Sequence, residues 1–294
     1  MSQFWKRSLR IPFLVACTLT FTLGTGIADY LGHSPADWKA LVGILTVWFI
    51  LAGSQILFEY FTRVYAGAPP FSQTKVKADI DTPSPQMLLT VSVLLITGAV
   101  VFGFGLIRNT SSDSLTAVLL VGMLLSSVFF IGQPRLVYSG YGELAQGLIC
   151  CCLVPAFAFC IHAGAIHALF LPVTFPLVLI FLGVSLALEL ETYATDLKQG
   201  RRTLLLRVGW QRAVILQHVL LLVGFILLAA APFFGVAWRL VWPAMLALVV
   251  AALEVWLVNR IALGLPPRWA LLKFTAWLAF MLPVYLLAIT FWIS

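Results

Sequence analysis

The sequence predicts an all-helical membrane protein: one membrane-embedded domain, residues 1–294, folded as a bundle of nine transmembrane helices. Three observations carry that prediction. Hydrophobic residues make up 62% of the chain and charged residues only 10%, whereas a soluble domain averages about 25% charged. Apolar stretches of roughly 20 residues recur along the whole chain, each long enough to cross a ~30 Å hydrocarbon core. When these stretches are threaded in alternation with the N-terminus inside, every Lys and Arg except Lys39, Arg108 and Arg239 falls on the inner side, the asymmetry expected of a correctly counted topology.

The spans read in order as 11–31, 38–60, 86–108, 114–133, 143–162, 168–190, 212–232, 236–258 and 270–293. Met1 to Arg10 is basic and precedes an apolar stretch. No small-residue cleavage site ends that stretch, so it reads as the lead-in to a retained first helix. Prolines inside the spans are tolerable where neighbouring helices satisfy the freed carbonyls. The outer connections are short. Two inner ones are long: 61–85, which is turn-rich, and 191–211, which is basic. They lie four spans apart, a hint of a duplicated four-helix unit.

The net charge of +7 marks loops retained inside, not a nucleic-acid partner. The five cysteines sit in apolar segments without metal-ligand spacing and read as small packing residues. Glu254, near the inner end of the eighth span, reads as reaching for the inner surface.

Charge chemistry concentrates at the inner helix ends. The sixth span runs into Glu189-Leu-Glu-Thr-Tyr-Ala-Thr-Asp196, followed by Lys198, Arg201, Arg202 and Arg207. On one continuous helix Glu189, Tyr193 and Asp196 would share a face. Two carboxylates and a phenol beside a basic loop suit a hard cation bridging to an anionic ligand, the usual form of Mg²⁺ bound with substrate phosphates. The second span ends in Gln55 … Glu59 … Arg63, where an i,i+4 ion pair is expected. Between spans four and five lies Gly132-Gln-Pro-Arg-Leu-Val-Tyr-Ser-Gly-Tyr-Gly-Glu143. Its Arg135 and Tyr138 are phosphate donors in waiting, and Glu143 is placed to favour the start of the fifth helix.

Two of these stretches resemble a known family. Pro134-Arg-Leu … Gly140-Tyr-Gly-Glu-Leu144 looks like the Pro-x-Arg-Leu … Gly-Leu-Gly-Glu turn of the UbiA superfamily of intramembrane prenyltransferases. Asp196-Leu-Lys-Gln-Gly-Arg-Arg-Thr-Leu-Leu-Leu-Arg-Val-Gly209 is similar to that family's Asp-x-x-x-Gly-[Lys/Arg]-Arg-Thr-Leu-x-x-Arg-Leu-Gly loop. The nearest branch is the one that prenylates dihydroxynaphthoate.

The resemblance implies transfer of a polyprenyl group from an isoprenyl diphosphate to an aromatic, quinone-precursor acceptor, assisted by Mg²⁺, in a multi-pass cell membrane with the site on the cytoplasmic side. It implies Glu59, Glu189 and Asp196 as metal ligands and catalytic residues. Arg63, Lys75, Arg135, Tyr138, Tyr193, Lys198 and Arg201 would contact the diphosphate. The first acidic motif is reduced: where the family has Asn-Asp-x-x-Asp-x-x-x-Asp, this chain keeps only Glu59. Thr192 stands where the second motif has its first Asp. Two alternatives arise from that erosion: a non-catalytic binder of a prenyl lipid or quinone, and a terpene cyclase on the same scaffold. A transporter fits less well, because the acids gather at one face instead of the midplane.

Overall fold

The computed structural model describes residues 9–64, 83–109, 113–133, 140–198 and 202–294. No strand occurs among them. The spanning helices are α1 (Ile11–Tyr30), α2 (Asp37–Val64), α3 (Pro85–Ile107), α4 (Asp113–Phe130), α5 (Gly142–Ala163) and α6 (Phe170–Glu189). Two short helices come next, α7 (Tyr193–Lys198) and α8 (Leu204–Val208). The bundle closes with α9 (Trp210–Ala229), α10 (Trp238–Ala262) and α11 (Trp269–Ile293).

Among the described residues, eight of the nine long helices are long and apolar enough to cross a membrane, and the protein is an integral, multi-pass membrane protein. The exception is α4. Its 18 residues rise about 27 Å at 1.5 Å per residue, just short of a full hydrocarbon core. The predicted 114–133 therefore survives as a helix but is the shortest of the nine long ones described.

Helix ends follow local chemistry. Ser84 caps α3, its hydroxyl accepting from the Met87 amide at 3.3 Å, with Pro85 at the first helical position. Pro155 in α5 has no N–H and crowds the carbonyl one turn earlier. The strain is absorbed by a widened π-turn, Ile149–Leu153, immediately before it. That turn carries Cys150, Cys151 and Cys152, and all five cysteines are free and largely buried.

Small residues let the helices approach. A Cβ on Gly24 of α1 would lie 2.2 Å from the Pro155 carbonyl oxygen of α5. Gly183 of α6 meets Leu221 and the Gln217 carbonyl of α9, while Gly224 of α9 meets Ile180 and the Pro176 carbonyl of α6. In α3 the Ser92 hydroxyl donates to the Gly53 carbonyl of α2 at 2.9 Å. Such contacts bind membrane helices where no hydrophobic force between them is available.

One polar residue departs from its predicted position. Glu254 does not reach the surface: it is fully buried, and Gln217 of α9 donates its amide N–H to it at 3.1 Å. A carboxyl this far inside is tolerated only with a partner, and the partner lies on a helix that the local sequence does not reveal.

Candidate active site at the ends of α2 and α6

The ends of α2 and α6 lie at the same end of the bundle. The Arg10 amide, at the start of α1, donates to Gln55 Oε1 of α2 at 2.7 Å, one turn before Glu59. Phe13, in the first turn of α1, meets Phe181 of α6 edge-on at 6.1 Å, two turns before Glu189. Phe181 in turn packs on Phe280 of α11 at 5.2 Å.

At the α2 end, Arg63 Nη2 donates to Glu59 Oε1 at 3.4 Å, the expected i,i+4 pair, and its Nη1 donates to the Pro83 carbonyl at 2.7 Å. Arg63 thus fastens the end of α2 to the residues that lead into α3. The Glu59 side chain keeps 30% of its exposure.

The α6 end is built differently. The helix does not run on to Asp196 as the shared-face reading supposes. It stops at Glu189, and a turn over 190–192 re-aims the chain into α7. The Glu189 carbonyl accepts from both the amide and the hydroxyl of Thr192, at 3.1 and 3.2 Å. A Thr hydroxyl competing for a helical carbonyl favours such a stop. Asp196 sits in the first turn of α7 and is buried. Tyr193 lies against Trp210 of α9, ring centres 5.2 Å apart. Lys198 is exposed.

Glu189 acts locally as a cap. Its Oε2 accepts from the Leu205 amide at 3.2 Å, while the Thr203 hydroxyl accepts from the Leu206 amide at 3.4 Å. Together the two side chains satisfy adjacent open amides of α8. The Glu143 carboxyl, in the first turn of α5, lies beside that of Glu189, and Glu143 Oε2 is buried without a hydrogen-bond partner. Two carboxyls in contact are stable only with a proton or a cation between them.

Gly140 has φ +82°, and a Cβ there would lie 2.1 Å from Arg207 Cδ of α8. Only glycine suits both constraints. The Arg207 guanidinium lies 4.5 Å from the centre of the Tyr141 ring. Hydrogen bonding to Arg207, then its charge, holds the exposed Tyr141 phenol below its ordinary range. The segment is also tied to α11, through an ion pair between Lys273 and Glu191. Of the two stretches singled out in the sequence, 134–144 and 196–209, the described residues 140–141 and Arg207 therefore dock on one another.

Sequence reasoning placed Glu143 only as a helix-start charge. Its contact with Glu189 is tertiary, and the one available signal was that Glu143 belongs to the first of those stretches and Glu189 to the acidic run leading into the second. Lys75, Arg135, Tyr138 and Arg201 lie outside the described residues. Among the described residues, no three His, Cys, Asp or Glu side chains converge as a metal-binding set.

No family model matches the sequence, and no curated protein matches it. Solved structures match its fold, among them the following three. A UbiA homologue from Archaeoglobus fulgidus, bound to GPP and Mg²⁺, superposes with a TM-score of 0.64 at 12% identity, over 97% of this chain and 99% of that one. A digeranylgeranylglyceryl phosphate synthase gives 0.59 at 15% identity, over 99% and 98%. The apo UbiA homologue from Aeropyrum pernix K1 gives 0.57 at 13% identity, over 92% and 94%. At these identities the likeness is one of fold, and it spans the whole bundle.

Proposed function

We propose that this chain, which has the fold of the UbiA-type intramembrane prenyltransferases, transfers a polyprenyl group from an isoprenyl diphosphate to an aromatic acceptor of the quinone-precursor kind. What supports the reading is that two helix ends bearing acids and bases, Glu59–Arg63 and Glu189–Lys198, lie at the same end of a fold whose A. fulgidus example holds GPP and Mg²⁺.

The donor set is one of hard oxygens, which suits Mg²⁺. With few carboxylates present, the fit requires the diphosphate to complete the coordination, as Mg²⁺ sites commonly do. Glu59 and Asp196 would hold the ion, with Glu189 able to join only in competition with Leu205 and Glu143. Bound Mg²⁺ supplies charge neutralisation for the departing diphosphate. Arg63, Lys75, Arg135, Tyr138, Tyr193, Lys198 and Arg201 orient the diphosphate and share its charge. The apolar bundle excludes water from the allylic cation.

A second reading, a binder of prenyl lipids or quinones without turnover, is favoured by one observation. Glu59 and Glu189 each already have a protein partner, which lowers the acidic capacity left for a metal.

One experiment separates the readings. Membranes containing the chain are given geranyl or longer prenyl diphosphates, Mg²⁺ and a hydroxylated naphthoate or benzoate, and pyrophosphate release is followed. Release that stops with EDTA and falls about 100-fold or more in Asp196→Asn supports transfer. Release without an acceptor, giving a hydrocarbon, indicates a cyclase. Retention of labelled diphosphate with no release under any condition sinks the enzyme reading and leaves the binder.

A further inference from the structure

The end of the bundle that carries the candidate site has a second basic feature, away from α2. Leu257, Arg260 and Ile261 of α10, Pro266 and Arg268 of the connection, and Leu272 of α11 line one crevice. Two arginines and no acid belong to its lining.

The crevice is preformed. Gly264 has φ +79° and closes α10, with the Leu265 amide bonding the Arg260 carbonyl at 3.1 Å and the Gly264 amide bonding that of Ile261 at 3.0 Å. This paired closure fixes the chain direction out of a helix. Pro266 and Pro267 stiffen the connection between that closure and Arg268. Arg260 and Arg268 thus approach from two rigid sides, and Arg260 is held further by the Trp256 ring, 5.0 Å below its guanidinium carbon. At the head of α11 no side chain caps the first amides, so the local dipole adds to the same sign.

Below the crevice an apolar track leads away along α10. Val249, Leu253 and Trp256 are 76%, 42% and 52% exposed. Their spacing of four and three residues places them on one face, and Arg260 completes it four residues on. A positive notch at the membrane–water boundary above an apolar stripe at hydrocarbon depth matches a molecule with an anionic head and an acyl tail.

We propose that the α10–α11 crevice binds the phosphate of an anionic membrane lipid, through Arg260 and Arg268, with one acyl chain lying on Val249, Leu253 and Trp256. Guanidinium groups suit the site because each offers paired donors to phosphate oxygens. The site is separate from the proposed diphosphate site and does not depend on it. A bound lipid here would steady the start of α11, whose Lys273 pairs with Glu191 beside α7.

The test uses the purified full chain in phosphatidylcholine nanodiscs titrated with phosphatidylglycerol, retained lipid being counted by native mass spectrometry. Wild type is expected to enrich phosphatidylglycerol about tenfold. Arg260→Gln with Arg268→Gln should bring the ratio near one, while Arg239→Gln at the opposite end of α10 should leave it unchanged. Equal retention of both lipids by wild type overturns the proposal without recourse to a variant. Enrichment that persists in the double variant also overturns it, by placing the lipid elsewhere. Inorganic phosphate displacing phosphatidylglycerol at equal concentration would overturn the lipid as the source of the phosphate.

Discussion

The end of α2 and the end of α6 carry similar residues and are held in different ways. Glu59 sits partly exposed against Arg63, a neighbour on its own helix. Glu189 is locked into a tertiary knot of Leu205, Glu143 and the docked 140–141 turn. Resemblance in sequence at these two places therefore has two physical meanings. At the α6 end, Gly140, Glu143, Glu189, Thr203 and Arg207 serve to dock two segments. At the α2 end the acidic residue has a weak local partner, so its carboxylate is the freer of the two to meet a cation.

The strongest challenge to that contrast is a substitution at Gly140. Gly140→Ala forces a side chain into a left-handed backbone, at a cost of about 1–3 kcal/mol, and pushes the exposed Arg207 side chain off its seat on Tyr141. A large drop in unfolding temperature is expected. An unchanged midpoint would mean that the α6 end is not held by this docking. Next comes Glu189→Gln, which leaves the Leu205 amide with a poorer acceptor but gives Glu143 a donor, for a net cost of about 1 kcal/mol. Turnover normalised to folded protein then separates capping from metal binding: an unchanged value indicates a cap, and a fall indicates a ligand. Arg207→Lys keeps the charge but loses the flat group over Tyr141, for roughly 0.5–1 kcal/mol in chemical denaturation. Smallest is Glu59→Gln, expected to cost only a few tenths of a kcal/mol in thermal unfolding, as an i,i+4 surface pair does. If Glu59→Gln destabilised the protein as much as Glu189→Gln, the contrast would fail.

Much of this architecture was legible in the apolar runs. Their lengths marked the spans to within a few residues, as for α1, predicted at 11–31 and found at Ile11–Tyr30. Charge asymmetry gave a consistent threading. What was hidden is tertiary. The break after Glu189 depends on Thr192 bonding a helical carbonyl, a choice that helix periodicity does not register. Glu254 was read by depth alone, and depth says nothing of Gln217 waiting on α9. Glu143 became part of the candidate site only when folding brought it against Glu189, 46 residues further along the chain.

The contact of Gly24 with the Pro155 carbonyl also constrains traffic through the protein. Backbones that touch leave no slot between α1 and α5, and the Gly183 and Gly224 contacts shut the passage between α6 and α9 in the same way. Under the proposed function, an isoprenoid chain entering from the bilayer would therefore pass between other helices of the bundle, where side chains can yield.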